Sequence, residues 1–386
     1  MLKRGVLLIG FLSTFSLSLA QHHEAAAETK PATETKVVSA EEAEKEQIKK
    51  ENKEFIDHHL LDAHSFDIMV EKKADGTEHH IGFPLPVIFY DEANGLHAFM
   101  SSEFHHGKEM KDAHGKKYNV VESKGANYAL YHEKIVKTDA SGAITLDDHG
   151  HATNAKVLDL SITKSVLMIL CASLLMIVIF GSMARNYKKS PIPTGAGKLF
   201  EPLVIFIRDE IAIPNIGAKY HKYISYLLTI FFFILFLNVF GLLPFGINVT
   251  GNLAITAALA IFTFIITQFT ANRNYWQHIF WMPGLPFLMK LVMIPIELIG
   301  MIIKPFALLI RLFANMSAGH IVIMSLIAMI YYFQNVIAGV AFPFLTFVLY
   351  LLEILVAFLQ AYIFTMLSAV YFGMANEEHH HEEAHH

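Results

Sequence analysis

The stretch LMKLVMIPIELIGMIIKPFALLIRLFANMSAGH, residues 288–320, decides the fold of this chain. It is apolar enough to lie in a lipid bilayer, yet it carries four charged side chains at intervals of seven residues. They are Lys290, Glu297, Lys304 and Arg311. Seven residues are nearly two helical turns, so each step rotates the side chain by only about 20°. The four charges therefore line one slowly drifting helix face, and Asn315 shares it.

This line of charges indicates a polar track through the membrane. A charge at mid-membrane costs roughly 2.5–3.5 kcal/mol on insertion scales, and residues 223–376 carry only two others, Arg273 and Glu353. Two alternatives stay open: structural ion pairs, and lysines that reach the interface, which applies most to Lys290. Arg311 is the strongest candidate because arginine keeps its proton at any working pH. Its fixed charge suits an electrostatic gate better than a proton relay.

Three more polar side chains follow in the same apolar region: His320, Glu353 and Gln360. The imidazole and the carboxyl can pass protons, whereas the amide cannot. Glu353 and Gln360 are seven residues apart and share a helix face. His320 lies about half a turn round an ideal helix from Arg311, so we expect it to pair with another helix. A packed, hydrogen-bonded histidine without a relay role is the alternative.

The apolar segments predict an all-α polytopic membrane protein with about five membrane helices. The predicted spans are residues 157–183, 223–243, 253–270, 281–332 and 338–374. The last two exceed what one upright span needs, so we expect two long, tilted helices. Residues 198–213 contain Pro202 and precede Pro214. The eleven residues between these prolines rise only about 16 Å, too little to cross a bilayer, and predict one interfacial amphipathic helix.

The N-terminal part has a different character. Residues 1–20 have a charged start, an apolar stretch and a small-residue cleavage site, which predict a signal peptide; an uncleaved helix is the alternative. Residues 21–58 predict a disordered segment, and residues 59–155 a small β-rich outer domain. Its strand candidates are residues 81–90, 96–100, 118–121, 128–131 and 143–146. Residues 157–376 form the membrane domain, and residues 377–386 a His- and Glu-rich tail.

Charge and cysteine content limit location and partners. Arg185, Lys188 and Lys189 follow the first span, which indicates a cytoplasmic side there and a periplasmic outer domain. The single cysteine excludes an intrachain disulfide, and the lack of a long basic run argues against nucleic acid as a partner. The outer part holds 14 of 22 histidines. Metal binding by them is an alternative to a solvated polar surface, but we expect neither a metal nor a cofactor.

Residues 157–376 resemble subunit a of the F-type ATP synthase. The matching segments are residues 295–320 (PIELIGMIIKPFALLIRLFANMSAGH), 248–260 (NVTGNLAITAALA) and 352–375 (LEILVAFLQAYIFTMLSAVYFGMA). By this resemblance, Arg311 is the family's essential stator arginine, Gln360 the glutamine opposite it and Asn315 the asparagine one turn on. Many bacterial members carry glutamate at the position of His320 and histidine at that of Glu353. The exchange in this chain favours a contact between the two side chains.

The resemblance implies a non-catalytic channel subunit of the bacterial inner membrane, with two half-channels beside the rotating c-ring. Its expected partners are the c-ring, subunit b of the peripheral stalk and the lipid bilayer. Arg311 would gate the ring carboxylate, and the expected proton path comprises Glu297, Lys304, Asn315, His320, Glu353 and Gln360. The alternatives are an ion-coupled secondary transporter and a membrane-anchored binding protein. No internal repeat supports the first, and the buried charges argue against the second.

Overall fold

The computed structural model describes residues 62–72, 78–112, 117–147, 152–190, 192–243, 248–281, 286–333 and 336–377. The predicted signal peptide, the predicted disordered segment and all but the first residue of the predicted tail lie outside these residues. Within them, an outer domain built of strands precedes a larger helical part.

The outer domain consists of antiparallel sheets. Its strands are β1 (Ser65–Lys72), β2 (Glu78–Pro84), β3 (Pro86–Asp91), β4 (Gly95–Met100), β5 (Lys108–Lys111), β6 (Lys117–Ser123), β7 (Ala126–Tyr131), β8 (Lys134–Lys137) and β9 (Leu158–Asp159), with a short helix α1 (Ser102–His105). They pair as β1-β2, as β4-β3-β9 and as β5-β6-β7-β8. Buried side chains of β3, β6, β7 and β8 meet in one core, which includes Val87, Phe89 and Tyr128. The core therefore lies between the three-stranded and the four-stranded sheet.

Most strand predictions for this domain agree with the structure. Residues 81–90 form two strands because Leu85 interrupts them, and its buried N–H bonds the Ser101 hydroxyl 3.0 Å away. The prediction for residues 143–146 is wrong: only Leu146 pairs there, through an isolated bridge to Ala152. A single bridge cannot extend into a ladder when the neighbouring residues bond elsewhere, as Thr145 does to the side chain of Asn154.

Five helices are long and apolar enough to cross a membrane, within the part of the chain that the structure describes. They are α2 (Lys164–Tyr187), α5 (Ile224–Leu242), α6 (Leu253–Thr270), α8 (Phe287–Phe333) and α9 (Val336–Asn376). The predictions of an all-α membrane part and of two long helices are confirmed. Helix α8 is continuous through Pro295 and Pro305. These spans could be predicted from length because each has at least 18 residues, and about 17–25 apolar residues are enough to cross the hydrocarbon core.

The prediction that the first span begins at residue 157 is wrong. Leu158 and Asp159 form β9, and the N–H of Ile162 still bonds the carbonyl of Pro86, 3.0 Å away. Helix α2 begins after Thr163, whose hydroxyl caps it by accepting from the N–H of Val166. The apolar residues before Thr163 belong to a strand because the edge of β3 offers backbone partners.

The amphipathic segment between α2 and α5 is helical along most of its length. Helix α3 (Gly197–Phe206) continues into a π-helical segment (Ile207–Ala212), the one-turn helix α4 (Ile213–Ile216) and a 3-10 segment (Gly217–Lys222). Ile207 and Ile211 are buried, whereas Arg208 and Asp209 form an exposed ion pair of 2.6 Å. The segment thus has one apolar and one charged side, as the predicted interfacial helix requires. The short helix α7 (Arg273–Phe280) follows α6.

The outer domain is fastened to the start of α2. Asp62 accepts hydrogen bonds from the Thr163 hydroxyl (2.9 Å) and from the N–H of Ser165 (3.1 Å). The N–H of Lys164 donates to the carbonyl of Ala63, 3.0 Å away. The chain therefore enters and leaves the outer domain at neighbouring points.

A buried histidine strengthens this junction. His64 Nε2 lies 2.8 Å from Asp159 on β9, and its Nδ1 lies 3.5 Å from the carboxylate of Glu133, to which the backbone N–H of His64 also donates over 3.1 Å. Glu133 is in the two-residue turn between β7 and β8, where both residues have positive φ, as a tight hairpin of this kind requires. The imidazole thus links the entering chain to both sheets of the core.

Candidate functional site

Arg311 is exposed on the surface of the isolated chain, and so is Asn315 one turn later. The neighbouring side of α8 is packed: Leu308 and Leu312, about 60° and 100° round the helix from Arg311, are each 1% exposed. The four-residue spacing, just over one helical turn, thus predicted correctly that Arg311 and Asn315 share a face. This face points away from the body of the chain. A guanidinium at membrane depth on such a face needs a partner outside the chain to offset the cost of its desolvation.

A first polar cluster lies on the N-terminal side of Arg311. The Lys304 ammonium is 5.8 Å from the centre of the Tyr371 ring on α9, and it interacts electrostatically with Glu297. The charge of Arg311 also acts on Tyr371. The sequence analysis did not single out Tyr371, although a tyrosine within an apolar span is a visible signal.

A small cavity adjoins this cluster. Its volume is about 10 Å³, close to what one water molecule needs. Lys304 and Tyr371 line it together with Gln268, Thr263 and Thr267 of α6. The Gln268 amide donates to Tyr275 over 3.4 Å, while its buried oxygen has no hydrogen-bond partner in the described part of the chain. The cavity is therefore polar enough to hold water between α6, α8 and α9.

A second cluster lies on the C-terminal side of Arg311. Glu353 is 6% exposed, and its carboxyl packs against Gly319, where an added Cβ would lie 2.1 Å from Oε1. Gly319 is the residue before His320, so the carboxyl and the imidazole occupy the same level of the α8–α9 contact. Among the described residues, the buried Nε2 of His320 has no hydrogen-bond partner. The charge of Lys164, at the start of α2, also acts on His320.

Gln360 is 3% exposed and lies on the packed side of α9, as Glu353 does. Within the described residues no hydrogen bond joins it to Arg311. The structure thus brings Glu353 and Gln360 to one face of α9, and Arg311 and Asn315 to the uncovered face of α8. Lys290 lies apart from both clusters, with its ammonium 4.3 Å from the Trp281 ring, which favours the anchoring role left open for it.

Buried amides hold the second cluster in place, and the sequence analysis missed them as site residues. Asn238 on α5 is fully buried; it donates to the carbonyl of Ala357 (3.1 Å) and accepts from the Thr250 hydroxyl (2.9 Å). Asn248 donates to the carbonyl of Met316 over 3.2 Å. These bonds fix α8 and α9 near Gly319 and Glu353. An asparagine within an otherwise apolar span was the signal that could have found Asn238.

The two clusters are separated along α8. Lys304 precedes Arg311 by seven residues and His320 follows it by nine, which corresponds to about 10 Å and about 14 Å of helix. The guanidinium lies between them, about 20° round the helix from Lys304 and about half a turn from His320. In the described residues no group of three or more His, Cys, Asp or Glu side chains could hold a metal ion. The arrangement can move protons over short distances, but it contains a fixed charge between the two halves.

Comparison with known families agrees with this geometry. The model of the family described as ATP synthase A chain matches residues 166–373, which is more than half of the chain. The chain belongs to the ATP synthase A chain family. A second model, for a domain of unknown function, matches residues 55–160 and thus coincides with the outer domain. The family assignment confirms the resemblance found in the sequence and does not favour the secondary transporter.

Members of the ATP synthase A chain family from several bacteria are similar to this chain. ATP synthase subunit a 2 of Chlorobaculum tepidum is 48% identical over 227 residues, 56% of this chain and 64% of that protein. The aligned part thus covers just under two thirds of that relative. ATP synthase subunit a of Chloroherpeton thalassium is 49% identical over 238 residues, 59% of this chain and 70% of that protein. ATP synthase subunit a of Chlorobium phaeobacteroides (strain BS1) is 40% identical over 325 residues, which are 79% of this chain and 93% of that protein.

Proposed function

We propose that this chain is the proton-translocating stator subunit a of an F-type ATP synthase, a channel subunit without catalytic chemistry of its own. The observation that carries the proposal is the separation of two polar clusters by Arg311. One cluster, with His320 and Glu353, lies toward the start of α2. The other, with Lys304 and Tyr371, lies toward the end of α6.

The orientation of the chain follows from its basic residues. Arg185 lies in the last turn of α2, and Lys188 and Lys189 follow it. Lys219 and Lys222 precede α5, and Arg273 follows α6. By the positive-inside tendency these ends are cytoplasmic. The outer domain is then periplasmic and the C-terminus cytoplasmic, in a bacterial inner membrane. The His320 cluster would open to the periplasm and the Lys304 cluster to the cytoplasm.

The partner implied by the exposed face of Arg311 is a ring of subunits that carry a membrane-embedded carboxyl group, the c-ring. A carboxyl that is protonated from the outer cluster is neutral and can face lipid at little cost. When rotation brings it to Arg311, the guanidinium favours the carboxylate and the proton leaves through the inner cluster. Arg311 also repels protons that would cross directly. Subunit b and its peripheral stalk would hold the chain against this rotation.

The roles of the remaining residues follow from their positions. Glu353 and His320 would pass protons to the ring from outside, with Asn315 and Gln360 as polar neighbours of the transfer. Glu297 and Lys304 would line the inward path beside the small cavity. Because 100 mV supplies only about 2.3 kcal/mol per proton, several protons are needed for each ATP, and rotation adds their contributions.

The test is the Arg311→Ala variant in the intact complex. We expect it to abolish ATP-driven proton pumping into inverted membrane vesicles, since the ring carboxylate would no longer be induced to ionise. Arg185→Ala is the matched control, because Arg185 is an exposed arginine in the last turn of α2. Near-normal pumping by Arg311→Ala, with normal assembly of the complex, would reject the proposal.

A further inference from the structure

The outward face of the sheet β4-β3-β9 in the outer domain is apolar across all three strands. The pairing of the strands arranges its side chains in three rows. The first row contains Met100, Pro86 and Ile162; the second, Ala98, Ile88 and Leu160; the third, Leu96, Tyr90 and Leu158. No charged side chain occurs in any row. We call this surface the apolar sheet face.

Much of this surface is uncovered in the structure. Leu158 is 61% exposed, Leu160 57% and Leu96 54%, and Tyr90 and Met100 are each above 40%. The opposite face of the same strands is packed normally, with Val87 and Phe89 fully buried. An antiparallel sheet with one face on a core normally places polar side chains on the other, and a large exposed apolar surface marks an interaction site.

The second sheet of the same domain also has an apolar side facing away from the core, but that side is covered. Tyr118 and Val120 are buried there, and Ile144 and Leu146 pack against this cluster. The apolar sheet face differs because the described residues leave most of it exposed.

Strand β9 leads directly into the membrane. Ile162, in the first row, is followed by Thr163, the N-cap of α2. Exposed apolar side chains continue along α2, where Val166, Leu170 and Leu174 form one stripe on the helix surface. Helix α2 is long and apolar enough to cross a membrane and has few buried residues, so this stripe is open to lipid. The apolar sheet face is thus continuous in the chain with an uncovered apolar surface of a candidate membrane span.

We propose that the apolar sheet face rests on the outer leaflet of the bilayer, so that the outer domain is a peripheral membrane domain as well as an extension of the first span. The first row lies at the level where α2 begins. The third row lies four residues farther along the strand, about 14 Å. The headgroup layer is only about 5–7 Å thick on each side, so the sheet must lean toward the membrane for all rows to reach it.

The side chains of the outermost row suit this position. Tyr90 combines an apolar ring with a hydroxyl and is a residue type enriched at membrane–water interfaces. The Lys124 ammonium donates to the carbonyl of Leu96 at the same edge of the sheet, and a basic group there would favour anionic headgroups. The proposal depends on the membrane span α2 and not on proton translocation.

Site-specific fluorescence in the full chain tests this proposal. Cys171→Ser removes the only cysteine, after which Leu96→Cys, Leu158→Cys and Leu160→Cys are labelled singly with an environment-sensitive dye. Glu122→Cys on β6 is the matched control, because Glu122 is exposed on the other sheet. Each variant is reconstituted into phosphatidylcholine–phosphatidylglycerol vesicles. Quenching is measured with a nitroxide on the lipid headgroup and, separately, with aqueous iodide.

We expect the three leucine positions to be quenched several-fold more strongly by the headgroup nitroxide than Glu122, and to be shielded from iodide. Free access of iodide to Leu96 and Leu158 would show that the face stays in water and would overturn the proposal. Shielding from iodide without nitroxide quenching would also overturn it, because a protein segment would then cover the face.

Discussion

Glu353 lies directly against Gly319, and the absence of a side chain at Gly319 is what leaves room for its carboxyl. A Cβ at that position would lie 2.1 Å from Oε1 and 2.9 Å from Cδ. Two non-bonded atoms cannot stay so close. Any residue larger than glycine at position 319 therefore has to displace the carboxyl of Glu353. The glycine therefore sets where the buried acid of α9 meets α8.

Gly319→Ala should lower ATP-driven proton pumping by about one order of magnitude or more, because small displacements of a reacting group can cost that much. Helix α8 itself would not be weakened, since alanine is the better helix former. Gly300→Ala is the control on the same helix, where a Cβ meets nothing within 4 Å. Equal pumping by the two variants would show that the position of Glu353 does not matter.

His320 and Glu353 should be energetically coupled across the α8–α9 contact. The single changes His320→Glu and Glu353→His each leave two like groups at the same level, whereas the exchange restores one acid and one imidazole. We expect the double variant to pump protons better than the worse single variant. A double variant no better than that single one counts against coupling, and the complete cycle measures its size.

The junction at His64 should weaken as the pH rises. Burial alone would lower the pKa of His64, but the hydrogen bonds with Asp159 and Glu133 and their charges outweigh it and raise the pKa to about 9. Because the folded-state pKa lies above the ordinary value of 6.5, the stabilisation is complete below pH 6.5 and is lost as the pH rises through about 9. Its full size is on the order of 3 kcal/mol.

Hydrogen exchange of the backbone around residues 158–165 in the full chain measures this effect. After correction for the intrinsic pH dependence of exchange, protection should fall between pH 6.5 and 9 in the native chain. His64→Gln should be less protected at pH 6.5 and should lose the pH dependence. A pH-dependent profile that survives in His64→Gln would assign the effect to another group.

Asn238→Leu should destabilise the membrane part by about 1 kcal/mol, because it removes two hydrogen bonds and leaves the Ala357 carbonyl without its side-chain donor. Thr250→Val removes only one of the two bonds and should cost less. Unfolding of the purified chain by SDS in mixed micelles, followed by circular dichroism, compares the variants. A smaller loss for Asn238→Leu than for Thr250→Val would contradict the assigned network.

The sequence predicted the membrane helices well because bilayer thickness alone fixes how many apolar residues a span needs. It failed at residues 157–163, where apolar side chains belong to a strand and to the apolar sheet face, a distinction that hydropathy cannot make. The four-residue spacing correctly placed Asn315 on the same helix face as Arg311. It could not reveal Tyr371 beside Lys304 or Gly319 beside Glu353, because such contacts depend on how α8, α6 and α9 pack. The roles of these residues in proton transfer stay predictions.

The bonds from Asp62 to Thr163 and Ser165 have a consequence for the modular character of the chain. They hold the two described ends of the outer domain side by side at the start of α2. Domains whose ends lie close together tolerate being transferred as whole units. The outer domain is thus built as a self-contained module in front of the membrane helices.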